Sequence, residues 1–145
     1  MKQLIAIAAL LLFTTVTKAQ DIPASNVPSV VLNTFNKAFP GALKIEWEMK
    51  AELYNAEFKL NRREHEVWIN PKGAIVKHKK ELRSAELPAA VANSIKQNYK
   101  GLRIDDVDRY EEGKQFFYKI ELKKLGQPDQ KVVLDSKGKL VNRVF

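Results

Sequence analysis

The sequence contains no cysteine and only two histidines, His65 and His78, among its 145 residues. The absence of a thiol excludes disulfide bonds, a cysteine nucleophile and lipid attachment to an N-terminal cysteine. Nucleotide-binding glycine loops, zinc-protease motifs and serine-hydrolase motifs are absent from the sequence as well. We therefore expect no catalytic residues, no metal site and no cofactor, and predict that the protein is not an enzyme.

The sequence contains a single long run of apolar residues, 4–13. This run follows Lys2 and precedes a stretch of small residues that ends at Ala19, an order typical of a secretory signal. It is half the length of about 20 apolar residues that a membrane-spanning helix needs. We predict that residues 1–19 are a signal peptide cleaved before Gln20, and that the mature protein is periplasmic or secreted and not inserted in the membrane.

The chain has an excess of basic residues, with a formal net charge of +8 that falls to +6 once Lys2 and Lys18 are removed. Residues 20–83 contain 11 basic and 8 acidic residues, and residues 84–145 contain 12 and 9. Both signs are interspersed along each half, which favours a solvated surface over a groove for phosphates. We predict no nucleic-acid partner. Binding of a polyanion or of the cell envelope through the net charge remains an alternative.

The second half of the sequence repeats the first. The matching stretches are 27–35 with 87–95, and 67–73 with 132–138. The offset grows from 60 to 65 residues between the two stretches, and the extra residues fit at a turn beginning at Gly126. An insertion at a turn that leaves the apolar positions in phase indicates duplication. We predict two repeats, 20–83 and 84–145, with residues 79–86 as the linker.

Each repeat is predicted to begin with an amphipathic helix, because apolar residues recur at helical spacing after Pro28 and Pro88. Alternating apolar and polar residues then predict strands. The predicted strands are 44–49, 54–60, 66–69 and 74–77, then 116–123, 131–134 and 139–144, with a solvated strand and turn in the acidic stretch 105–112. The fold class is α+β. We expect a tandem helix-plus-four-strand unit forming one continuous antiparallel sheet, with both helices on one face over a shared core and the other face open.

The arrangement resembles a known family, the PepSY-like, beta-lactamase-inhibitor-like family of small exported bacterial proteins. The matching residues are 27–42 and 70–75 in the first repeat, and 87–101 and 135–140 in the second. The resemblance implies a duplicated unit in one curved sheet and a non-enzymatic binding module, of a kind sometimes proposed to restrain an enzyme. The inhibitor after which the family is named contains disulfides. Since this sequence has no cysteine, inhibition of beta-lactamase itself is not carried over.

The two histidines lie on either side of a predicted hairpin turn, Asn70-Pro71-Lys72-Gly73. If Asn70 pairs with Gly73, His65 faces His78 across two strands, as a two-ligand metal site would require. A glycine bulge moves the register by one residue and separates the two rings onto opposite faces. Both registers are open from the sequence. Because no convincing third ligand is present, we expect two exposed histidines and no bound metal.

Aromatic residues give the best indication of a binding site. Trp68 and Phe117 each lie between two apolar residues of a predicted strand. If those neighbours face the helices, then Trp68, Phe117 and Val133 lie on the open sheet face among lysines such as Lys77 and Lys119, a pattern typical of protein recognition. The alternative, with Trp68 in the core and its neighbours exposed, is left open.

We predict that Trp68, Phe117, Lys77 and Lys119 bind a protein or peptide in the cell envelope. The alternative function is binding of a small ligand or a metal.

Overall fold

The structure is a computed structural model and describes residues 20–145, so the predicted signal peptide lies outside the described residues. The described chain contains two ten-residue helices, α1 (Ser29–Ala38) and α2 (Ala89–Asn98). Its strands are β1 (Gln20–Asp21), β2 (Leu43–Lys50), β3 (Leu53–Leu60), β4 (Arg63–Ile69), β5 (Ile75–Glu81), β6 (Arg103–Glu112), β7 (Gln115–Lys123) and β8 (Gln130–Asp135). No helix of residues 20–145 has the length and apolarity that a membrane crossing needs.

The strands form a single antiparallel sheet in which each strand pairs with its neighbours in the chain, in the order β1 to β8. The two halves of the chain meet where β5 pairs with β6, with His78 opposite Glu111 and Glu81 opposite Asp108. The predicted α+β class and continuous antiparallel sheet are therefore confirmed.

Each helix buries one apolar stripe against the sheet of its own half. Val31 and Phe35 are the buried residues of α1, and Val91 and Ile95 are those of α2. Spacing of four residues places each pair on one face of its helix. The α1 cluster also contains Trp47, Ala56, Phe58, Val67 and Ile69, whereas the α2 cluster contains Val107, Tyr118, Ile120, Leu122 and Leu134.

These two clusters have no residue in common, so the predicted shared core is wrong. The reason lies in β5, which runs between the two halves of the sheet and has the sequence IVKHKKE. A strand with so many charged residues contributes little apolar side-chain surface, and the two helix-covered cores therefore remain separate.

The predicted linker 79–86 is also wrong in its first part. β5 continues to Glu81, and the following Leu82 N–H donates a 2.8 Å hydrogen bond to the Val107 carbonyl. The corresponding residue of the first half, Ile22, donates a 2.9 Å bond to the Trp47 carbonyl. The residues are in the sheet because their backbone groups have partners in β6. A 3-10 turn at Ser84–Glu86 completes the connection.

The last predicted strand, 139–144, does not form. Leu140 makes an isolated bridge with Leu134, and the Val141 N–H donates a 2.9 Å bond to the Val133 carbonyl. The chain then leaves the sheet edge. We call residues 141–145 the covering segment, because their side chains pack on a face of the sheet instead of extending it.

The hairpin turns lie against the helices. Within each turn the Asx side chain accepts two backbone hydrogen bonds, at 3.0 Å for Asn70 and 2.9 Å for Asp135. Thr34 of α1 donates a 2.8 Å bond to the Gly73 carbonyl. A Cβ atom added at Gly138, where φ is +78°, would lie 2.4 Å from the Ala90 carbonyl oxygen of α2. Glycine is therefore required there for its backbone conformation and for close approach.

Substitution of Gly138→Ala should lower the free energy of unfolding by about 3 kcal/mol, because the left-handed conformation costs about 1–2 kcal/mol and the clash with α2 adds a comparable amount. Gly126→Ala is the matched control, since φ there is +75° and nothing lies within 4 Å of the added Cβ. Urea unfolding measures both variants. Equal losses in the two variants would contradict the contact between turn and helix.

Candidate functional site

Trp68 points away from α1. Its neighbours in β4, Val67 and Ile69, are fully buried in the α1 cluster, and successive side chains of a strand alternate between faces. Trp68 pairs across the sheet with Lys77, whose Nζ atom lies 3.8 Å from the centre of the indole ring. Burial lowers the pKa of Lys77. The alternative orientation, in which Trp68 lies in the helix-covered core, is therefore excluded.

Phe117 pairs with Tyr110 between β6 and β7, and both contribute to a third apolar cluster. The buried members of this aromatic cluster are Trp68, Tyr110, Phe117 and Val133. Burial, with the nearby charges of Asp108 and Glu66, raises the pKa of Tyr110 above its ordinary value. Trp68 comes from the first half of the chain and the other three residues from the second. The halves therefore share an apolar cluster, and it contains no helix residue.

The aromatic cluster is covered, in contrast to the exposed face that the sequence predicted. Trp68, Phe117 and Val133 are 9%, 8% and 9% exposed. Phe145 of the covering segment stacks on Tyr110, with ring centres 4.0 Å apart and an interplanar angle of 19°. The prediction of exposed aromatic side chains is therefore wrong, because residues at and just beyond the end of the predicted strand 139–144 cover them.

Arg143 forms the second contact of the covering segment. Its guanidinium carbon lies 4.4 Å from the centre of the Phe117 ring, and its Nη2 atom lies 2.7 Å from Oε2 of Glu112. A cation above an aromatic ring is attracted by the negative face of that ring. The covering segment thus places one aromatic ring and one cation on the sheet.

Lys119 lies beside the cluster, opposite both Asp108 and Val133. Asp108 is buried, and burial raises the pKa of its carboxyl group, although Lys79 at 3.6 Å opposes the shift. The structure therefore brings Lys119 next to Val133 and Lys77 next to Trp68. All four residues selected from the sequence lie on or at the edge of the aromatic cluster.

Charged side chains surround this cluster toward β2. Lys50 lies 2.9 Å from Glu66 and 3.0 Å from Glu48, and the buried Asn55 donates a 3.0 Å bond from Nδ2 to Glu66. An apolar centre with a polar rim is the usual anatomy of a protein interface. Because the rim carries both signs of charge, it favours a partner that also carries both.

Sequence reasoning missed Tyr110, Glu112, Arg143 and Phe145. Alternation within 105–112 could have placed Tyr110 and Glu112 on one face, but the acidic residues favoured a solvated strand and turn. No sequence signal indicated the position of Phe145, since its contacts depend on where the chain leaves the sheet.

The two histidines meet, in a register that neither prediction described. Val67 pairs with His78 and His65 pairs with Lys80, so the two rings are diagonal neighbours on one face. Nδ1 of His65 lies 3.0 Å from Nε2 of His78. A bulge between Trp68 and Ile69 causes the change of register. Among residues 20–145, no group of three or more potential metal-ligating side chains is present.

Burial lowers the pKa of both histidines to about 4, and Lys80 and Arg109 add to the effect. The His65 ring stacks near Phe58 at 5.2 Å, and the His78 ring lies 5.0 Å from Phe39. Two neutral rings can share one hydrogen bond, with one nitrogen donating and the other accepting. Protonation of both rings would leave two donors facing each other. The pair is therefore a structural contact of the neutral state.

Acid should weaken the fold through this pair. Unfolded histidines titrate near 6.5, so between pH 6.5 and 4 the unfolded chain binds more protons than the folded chain, and stability falls as the pH is lowered. We expect a loss of about 3 kcal/mol after allowing for partial solvent contact. Urea unfolding across this range measures it.

The control is the double variant His65→Gln and His78→Gln, which retains polar side chains that do not titrate. Its free energy of unfolding should change less over the same pH range than that of the original protein. An identical pH dependence in both proteins would sink the assignment to the histidine pair.

The sequence matches one protein family twice, over residues 13–77 and 52–142. That family is described as "Putative beta-lactamase-inhibitor-like, PepSY-like". The chain belongs to this PepSY-like family. The resemblance drawn from the helix starts and hairpin turns is therefore confirmed, and the double match agrees with a tandem arrangement. No curated protein matches the chain.

Solved structures from Bacteroides species have the same fold. A Bacteroides eggerthii protein that is described as a putative periplasmic protein superimposes with a TM-score of 0.72 at 23% identity. The match covers 80% of this chain and 86% of that one. A DUF2874 family protein of Bacteroides ovatus gives 0.69 at 25% identity, covering 79% and 84%. A BLIP-like protein of Bacteroides fragilis gives 0.69 at 23% identity, covering 83% and 85%.

Proposed function

We propose that the chain is an exported, non-enzymatic binding module that recognises a protein or peptide through the sheet face carrying the aromatic cluster. The observation that carries this proposal is the group of Trp68, Tyr110, Phe117 and Val133 on a sheet face outside both helix-covered clusters. A protein gains little stability from such a cluster if a neighbouring segment must be ordered to cover it. A partner that supplies its own apolar side chains would instead gain binding energy by burying the cluster.

The proposed architecture has both helices on one face. Cross-strand neighbours lie on the same side of a sheet, and Val67, His78, Glu111 and Phe116 are successive neighbours across β4 to β7. Val67 belongs to the α1 cluster and Phe116 packs against the α2 cluster. This register supports a surface without helices on the opposite side. We propose repeats 20–83 and 84–145, whose junction lies beneath this surface.

In this proposal Trp68 and Phe117 provide apolar contact, and Lys77 and Lys119 provide charge at its edge. Aromatic anchors within a ring of polar residues are the groups that dominate binding energy in protein interfaces. The rim charges act mainly on association rate and selectivity. One class of partner is a periplasmic enzyme that the module would restrain.

Location in the periplasm or outside the cell supports the same function. The predicted signal peptide agrees with the periplasmic description of the Bacteroides eggerthii protein, and the Bacteroides fragilis protein is described as BLIP-like. A partner in that compartment is a protein or peptide of the cell envelope, and no nucleic acid or cofactor is part of the proposal.

Reversal of two rim charges, Lys77→Glu with Lys119→Glu, should reduce partner binding at least tenfold, because both lysines lie at the edge of the surface. The measurement is quantitative mass spectrometry of proteins retained from a periplasmic extract by the immobilised chain. Circular dichroism confirms that each variant is folded.

The matched control, Lys37→Glu with Lys96→Glu, makes the same charge change at exposed positions of α1 and α2. This control should retain the same proteins as the original chain. If instead the helix variant loses the captured proteins and the rim variant keeps them, the binding face is on the helix side and the proposal fails.

A further inference from the structure

The covering segment lies on the aromatic cluster as a bound peptide would, with a tight turn at Asn142 where the Arg143 N–H donates a 3.1 Å bond to the Val141 carbonyl. Val141, Arg143 and Phe145 contact the sheet, although the Arg143 side chain is 38% exposed, whereas Asn142 and Val144 make no such contact and Val144 is 97% exposed. Alternate residues therefore face the surface. These three contacting residues, which we call the anchors, differ in chemistry. Val141 provides a backbone N–H and an apolar side chain, Arg143 a cation and Phe145 an aromatic ring.

Each anchor contacts a defined group of the sheet. The Val141 N–H donates to the Val133 carbonyl at 2.9 Å. The Arg143 guanidinium lies over the Phe117 ring and pairs with Glu112 at 2.7 Å. The Phe145 ring stacks on Tyr110 at 4.0 Å and lies 5.7 Å from Phe117. The segment thus places on this surface an aromatic residue that follows a cationic residue by two positions.

The covering segment is dispensable for the sheet itself. Its counterpart in the first half is β5, which is paired on both sides, by β4 and by β6. Residues 141–145 form no strand, and their only backbone bond to the sheet is the one to Val133. Displacing the segment would break one backbone hydrogen bond to β8 and leave the eight-stranded pairing intact.

We infer that the covering segment is an internal ligand, and that the surface beneath it binds partner segments of the type Arg-X-aromatic, which enter by displacing residues 141–145. This inference rests on the proposed function, and it names the chemistry of the partner. The partner's cation takes the position of Arg143 at Glu112, and its ring takes the position of Phe145 between Tyr110 and Phe117. The covering segment then sets a threshold that weaker ligands do not pass.

The test uses the synthetic peptide Val-Asn-Arg-Val-Phe, which has the sequence of residues 141–145, and isotope-labelled protein followed by NMR. We expect the peptide to shift amide signals of β6 and β7 around Tyr110 and Phe117 in a chain ending at Leu140. In the chain ending at Phe145, binding should be at least tenfold weaker, because the internal copy is present at a high effective concentration. Equal binding to both chains overturns the inference.

Peptide variants test the two anchors separately. Replacing arginine by glutamate, or phenylalanine by alanine, should each weaken binding to the shortened chain at least tenfold. In the protein, Glu112→Gln should weaken binding of the arginine peptide, whereas Glu111→Gln, whose side chain lies on the opposite face, should not. Binding that is unaffected by both peptide changes and by Glu112→Gln is non-specific and contradicts the inference.

If the shortened chain fails to fold, Phe145→Ala in the full-length chain replaces it, since that variant removes one anchor without altering the chain length. It should bind the peptide at least tenfold more tightly than the original protein. Failure of peptide exchange, with charge reversal at Lys77 and Lys119 still abolishing capture of partners, rejects the inference alone. Exchange of the peptide without any effect of charge reversal on capture rejects the proposed function and retains the site.

Discussion

The pairing of β5 with β6 is the contact on which the rest of the structure depends. It places a strand of sequence IVKHKKE in the interior of an eight-stranded sheet, where its charged side chains need partners on both faces. Lys77 lies over the Trp68 ring, Lys79 forms an ion pair with Asp108, and His78 shares a hydrogen bond with His65. These contacts let a polar strand lie in the interior. The two helix-covered cores then remain separate while the backbone pairing is continuous.

Continuity of the sheet also creates the aromatic cluster. Trp68 lies in β4, and Tyr110 and Phe117 lie in β6 and β7 on the other side of the junction. In a sheet broken between β5 and β6, neither half would have the complete cluster. The residues predicted to bind a partner therefore depend on the junction between the halves, as do the rim contacts of Lys77. Duplication produced two similar units, and the candidate surface belongs to their combination.

The sequence predicted the parts of this arrangement that depend on local periodicity. Alternation offered a common face for Trp68 and Phe117 but left the opposite orientation of Trp68 open, and the recurrence of Pro28 and Pro88 located both helices. It did not predict the register between β4 and β5, because a single bulge after Trp68 changes every pairing beyond it. It also did not predict burial of the aromatic cluster. That burial depends on tertiary contacts of Phe145, which the alternation of apolar and polar residues in a strand does not indicate.

The fate of the last predicted strand follows from its position. In the first half the fourth strand has neighbours on both sides, whereas in the second half the equivalent strand would be an edge with one neighbour. Fixing five residues costs about 5 kcal/mol or more of backbone entropy wherever they lie. On the sheet face, burial of one aromatic side chain contributes about 2 kcal/mol, the cation above Phe117 about 1 kcal/mol, and ring stacking about 1 kcal/mol more. The Val141 hydrogen bond and the Arg143–Glu112 ion pair add to this gain. The gain then exceeds the cost by a small margin, about the 1.4 kcal/mol that tenfold competition requires, so a segment freed from the sheet edge can cover the aromatic cluster and still be displaced by a competing partner.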